Sequence, residues 1–173
     1  MTTLWEPTGE WQGATVAVFG CGPSLTPEAV EPLRHHFVIA VNHAAAVAPW
    51  ADMLVALDAN WPAEWREFAG LRVTGCEDDD LDALYIGHRF HRVRTAGGEI
   101  EIRNSGLEAI RIAAEMGASR IILVGFEPDL PGYFYDDEVD TGDFHVGVRE
   151  GLQQLTAALA ERGVVVERFE PEA

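Results

Sequence analysis

ATVAVFGCGPSLTPEAV, residues 14–30, decides the fold. Residues 14–19 are short, apolar and partly β-branched, and the run stops at Gly20. That pattern reads as a strand buried on both faces. A helix start follows: Thr26 as N-cap, Pro27 at the first helical position, Glu28 in the first turn, with Leu25 and Val30 spaced for a hydrophobic staple. Between them lies Gly20-Cys21-Gly22-Pro23-Ser24. Glycine lets a ligand approach the backbone, and helix amides favour an anion. These five residues are therefore candidate ligand-binding residues, with the Ser24 hydroxyl as a further donor. They read equally as a tight turn with no ligand. A side chain at Gly22 is expected to block the ligand's approach with little loss of fold.

Further buried strands are expected at 37–41 (FVIAV, ending at Asn42), 53–57 (MLVAL, ending at Asp58) and 120–124 (RIILV, ending at Gly125). Shorter ones are expected at 71–74 and 83–86, and the closing VVVERF reads as an edge strand. Residues 61–68 suggest a short helix. Ser105 and Glu108 have the spacing of a capping box, opening a helix with Leu107, Ile110 and Ala114 on one face that stops at Gly117. A last helix carries Leu152, Leu155 and Leu159 and ends near Gly163. Gly97-Gly98 and the acidic run Glu77 to Asp80 read as loops. Alternating strands and helices predict one domain over 1–173: a three-layer, mostly parallel α/β sheet with helices on both faces. Ligands of such sheets sit at the carboxyl ends of the strands, which selects Gly20 to Ser24, Asn42, Asp58 and Gly125 to Glu127.

Composition narrows the function. The chain has 173 residues and a formal net charge of -17, with 29 acidic residues against 12 basic ones. All the basic residues are arginine, so no Walker A, Schiff-base or general-base lysine exists. So acidic a surface predicts no nucleic-acid partner and no anionic membrane. The apolar stretch Val38 to Leu57 is interrupted by Asn42, His43 and Asp52, and the N-terminus lacks a basic region; a cytoplasmic protein without a membrane span is expected. Two cysteines are too few for a disulfide framework or a zinc site, and Cys21 reads as a small loop residue. The glycine loop is not the dinucleotide fingerprint: Leu25 stands where that motif has its third glycine, and Asn42 where an acid is usual. An amide both donates and accepts, so Asn42 suits a base edge or a ribose hydroxyl.

Strand-GCGPSL-helix, then VIAVNH, LVALDAN and NSGLEAIRIAAEMGASRIILVGFE, resembles the Rossmann-like superfamily of bacterial CMP-sialic-acid sialyltransferases. It is similar also to the MptE-like family, named for 6-hydroxymethylpterin diphosphokinase. The match runs over roughly residues 14 to 168. The resemblance implies a nucleotide or nucleotide-sugar ligand wrapped by Gly20, Gly22, Pro23 and Ser24. It implies that Asn42 touches the nucleoside, and that Asn104, Ser105 and Gly106 lie near the nucleotide. It also implies a phosphate-side tyrosine, Tyr133 or Tyr135, and a catalytic histidine, His145, before the last helix. Two departures stand out. Glu127 replaces the transferases' Asp, and Thr141-Gly142-Asp143-Phe144 keeps only the Gly-Asp of the pterin kinases' His-Gly-Asp-Asn. The segment between Glu127 and His145 is short for a lid over a sugar acceptor.

The residues themselves allow the same chemistry. A histidine at a helix start among carboxylates can serve as a general base, or be a surface histidine near a cap. Asp58 with Glu127 or Asp129 could hold a Mg²⁺ bridging phosphates; the alternative reading of Asp58 is a cap on the next segment. Trp50, Trp61 and Trp65 read as core. The expected activity is transfer from a nucleotide-activated donor. The alternatives are a non-catalytic nucleotide-binding module and a Mg-dependent diphosphokinase. The sequence leaves the oligomeric state open.

Overall fold

The computed structural model describes residues 4–87, 91–102, 104–130 and 142–171, with side chains from residue 147 onward in the last stretch. The expected run 14–19 forms β1 (Thr15–Phe19), buried from Val16 onward. It is followed by β2 (Phe37–Val41), β3 (Met53–Ala56), β4 (Leu71–Thr74) and the short β5 (Leu84–Tyr85). After a hairpin come β8 (Arg120–Val124) and β9 (Val165–Arg168). These seven strands form one sheet in the order β5-β4-β3-β2-β1-β8-β9, and every pairing is parallel. The closing strand lies at the sheet edge, as its composition suggests.

Alternate residues of the strands feed two cores. Val16, Val18, Ile39, Met53, Val55 and Ile121 face α3 (Ser105–Glu115) and α4 (Gly142–Glu161), meeting Ile110, Leu155 and Leu159. Ala17, Phe19, Val38, Ala40 and Leu54 face the other way. That second layer is thin. It consists of α1 (Pro27–Val30), α2 (Ala63–Arg66) and two 3-10 turns, closed by Trp61 and Trp65, which are buried edge-to-face. The fold is thus a three-layer α/β sheet with one face under two long helices and the other under short turns.

Three local expectations change. Thr26 caps α1 by accepting the Ala29 amide at 3.1 Å, but the helix lasts only four residues before a 3-10 turn at Glu31–Leu33. Its dipole is correspondingly small. The capping box is displaced by one residue: Asn104 is the N-cap of α3, its Oδ1 accepting the Leu107 amide at 2.9 Å. Gly97-Gly98 is no loose loop. It turns an antiparallel hairpin of β6 (His91–Thr95) and β7 (Gly98–Ile102) that packs on α4 through Val93 and Ile102. Gly98 has φ 133, a conformation that a side chain would strain.

Candidate functional site at the carboxyl ends of the strands

Because the sheet is parallel, the segments following β1, β2, β3 and β8 emerge at one end. Gly20, Asn42, Asp58 and Gly125–Glu127 therefore share that end. α3 begins there too, since Ser105 Oγ accepts the Leu57 amide at 3.1 Å and ties the helix start to the end of β3. The structure brings Asn104, Ser105 and Gly106 to the same end as the glycine loop. The chain leaves β1 toward β2 on one side and returns to β8 on the other, so this is also where the strand order reverses.

The glycine loop is closed by its own contacts. The Gly22 amide donates to the Gly125 carbonyl at 2.8 Å, and the Gly20 amide to Val124 at 2.8 Å. Ser24 Oγ accepts the Gly125 amide at 3.0 Å and donates to Glu127 Oε1. The Ser24 amide donates to Glu127 Oε2 at 3.4 Å. Both donors that the sequence offers to an anion at Ser24 thus meet a carboxylate of the chain itself. The glycines answer to the same packing. A Cβ at Gly20 would stand 2.6 Å from the Gly125 carbonyl oxygen and 2.9 Å from the Phe126 ring. One at Gly22 would stand 2.7 Å from that oxygen and would also strike Glu127 Oε2. The expectation that a Gly22 side chain leaves the fold intact is corrected: it meets backbone, not a ligand path. Gly106 follows suit, its absent Cβ leaving 3.1 Å to the same Phe126 ring. Phe126, within the strand-end segment Gly125 to Glu127, is buried between Gly20 and Gly106, a packing role that a lone aromatic after a strand does not signal.

Cys21 is partly buried against the second core. Its thiol donates to the Val41 carbonyl at 3.2 Å, and burial pushes it up to about 11, only partly offset by the amides of Ala44 and His43. A thiol held so high stays protonated near neutral pH and is a poor nucleophile.

Asn42 is different. It holds φ 50, the one non-glycine residue with positive φ among the described residues. Its Oδ1 is buried and has no hydrogen-bond partner among the described residues. Strand register sets it between the Cys21 side of β1 and the end of β3, where Ser105 docks. Asp58 is exposed at the next strand end. Glu127 follows β8, three strand spacings from β3 or about 14 Å, and is bonded to Ser24. For both to hold one cation, a loop would have to fold across two strand ends. Among the described residues no three His, Cys, Asp or Glu side chains gather in a metal-binding group. Tyr133 and Tyr135 lie outside the described residues. His145 is in α4, with its side chain likewise outside them.

The fold is shared with a solved structure. That structure is a probable thiamine pyrophosphokinase from Staphylococcus saprophyticus subsp. saprophyticus, 12% identical, with a TM-score of 0.53 over 90% of this chain. The chain spans 65% of that protein's length, and the likeness is one of fold. No family model and no curated protein matches. Among the described residues no helix is long and apolar enough to cross a membrane.

Proposed function

We propose that the chain binds a nucleotide across the carboxyl ends of β1, β2 and β3 and transfers a diphosphoryl group from it, a diphosphokinase-type reaction. The observation that carries the reading is Asn42. A buried polar atom without a partner costs about 1–3 kcal/mol. A non-glycine residue at positive φ is a further expense that persists where function requires it. A ligand that supplies a donor to Oδ1 removes the first penalty. Two independent likenesses favour diphosphoryl over glycosyl transfer: the pterin diphosphokinase side of the sequence resemblance, and a probable pyrophosphokinase of the same fold. The departures at Glu127 and the short following segment weigh against a sialyltransferase.

In this reading Asn42 holds the nucleoside, and the α3 start at Ser105 and Gly106 faces the phosphates. An acceptor hydroxyl attacks the β-phosphorus of a nucleoside triphosphate; the nucleoside monophosphate leaves, and the hydroxyl proton passes to a base, for which His145 is the candidate. Asp58, exposed and a hard oxygen donor, fits a Mg²⁺ bound mainly through substrate phosphates, which would neutralise charge on the transferred group. Glu127 would join it only by releasing Ser24. That closure of the loop favours the second reading, a nucleotide-binding module without catalysis.

The test pairs calorimetric titration of nucleoside mono- and triphosphates, with and without Mg²⁺, with ³¹P NMR of a triphosphate incubated with alcohol acceptors. Asn42→Gly keeps the left-handed backbone and removes the amide. It should weaken nucleotide binding about 10- to 100-fold with no loss of thermal stability. Acceptor-dependent release of the monophosphate supports the transferase. Binding without it leaves the module, and no binding of any nucleotide ends both readings.

A further inference from the structure

Away from the strand ends, the α3 side of the sheet carries a charged cluster that the nucleotide reading does not use. Glu108 is 1% exposed. Its Oε1 accepts from His91 Nδ1 at 2.9 Å and from Arg111 Nε and Nη2 at 2.9 and 2.5 Å. The buried carboxylate therefore fixes the imidazole and the guanidinium in place, while His91 Nε2 and Arg111 Nη1 take no part in those bonds. His91 and Arg111 line a cleft of about 160 Å³. Its other wall is the N-terminal segment, fastened where the Trp5 amide donates to the Tyr85 carbonyl at 2.7 Å.

The cleft is lined by charges of both signs and by an apolar wall. Arg111 supplies donors for a carboxylate. Glu6, exposed on the N-terminal segment, supplies acceptors for an ammonium, joined by Glu115, whose Oε1 already accepts from Arg162 at 2.9 Å. Arg111 and Glu115 stand one helical turn apart on α3, so donor and acceptor adjoin, and Leu4, Trp5 and Ile86 supply the apolar part of the lining. A plain anion would meet Glu6, and a plain cation would meet Arg111. We propose that this cleft is a ligand site for a compact zwitterion with an apolar body, the chemistry of a free α-amino acid with a branched or aromatic side chain. Preorganisation by Glu108 lowers the entropy lost when the donors engage the ligand.

Calorimetric titration of the full chain with L-leucine and L-phenylalanine, against 4-methylpentanoate and 3-methylbutylamine, tests this. At least one amino acid should bind, and leucine about fivefold or more tighter than either single-charge analogue. Glu6→Gln lies outside the Glu108 cluster and should not disturb folding. It should weaken amino-acid binding about fivefold and leave 4-methylpentanoate unweakened. Absence of binding by both amino acids at millimolar concentration, equal binding of leucine and its analogues, or unchanged amino-acid affinity in Glu6→Gln overturns the proposal. None of these outcomes bears on nucleotide binding.

Discussion

Gly20 and Gly22 show how a residue can be legible while its reason is not. Their spacing after a buried strand marks a glycine loop, which the sequence reads as room for a ligand rather than as close packing of two loops. The cause lies about a hundred residues away, at the Gly125 carbonyl and the Phe126 ring, which no local pattern reveals. Gly22→Ala should therefore lower stability by about 1–3 kcal/mol, because the backbone of Gly125 must give way. Urea denaturation reads this as a lower midpoint at an unchanged slope. An unchanged midpoint would mean that the two loops do not touch. Asn42 is the opposite case. Its place at a strand end was visible in the sequence, and its positive φ and unpartnered oxygen add a physical reason for interest that only three dimensions supply.

At the scale of elements, long buried strands were readable because both faces of each are apolar. Short polar elements were not. The hairpin β6–β7 has Val93 and Ile102 buried and Arg92, Arg94 and Glu99 outside, yet its many charges resemble a loop. The start of α3 was misplaced by one residue because Ser105 and Glu108 have capping-box spacing. Glu108 instead turns inward to His91, a partner contributed by the unanticipated hairpin, and to Arg111. Burial pushes the Glu108 carboxyl up, but the hydrogen bonds and charges of His91 and Arg111 outweigh it, and the group sits below its usual range. A depressed carboxylate contributes stability that is full above the unfolded-state value of about 4.3 and is lost as pH falls through the lower folded-state value. Acid titration of unfolding free energy should show this loss below about pH 4.3, and Glu108→Gln should flatten that part of the curve. Parallel acid profiles for the two proteins would place Glu108 outside the ion cluster. Since His91 and Arg111 would lose the charge of their shared acceptor, the variant should also be less stable at neutral pH, by about 1–3 kcal/mol.

For the whole molecule, parallel topology converts a list of strand ends into one surface. Gly20, Asn42, Asp58 and Ser105 are far apart in sequence and share an end of the sheet because every strand of it runs the same way. That much follows from alternating strands and helices. The reach of each loop does not, and here it decides what remains open: the β1 and β8 loops fasten to each other, which moves the expected ligand toward β2, β3 and the α3 start. Hydrogen exchange with and without a saturating nucleotide tests that placement most directly. Protection should rise in peptides spanning 42–47, 57–60 and 104–107, and stay unchanged at the amino ends of the strands, as in 34–37 and 117–120. Protection at those amino ends instead, or none anywhere with nucleotide bound, would contradict a site at the carboxyl ends of the sheet.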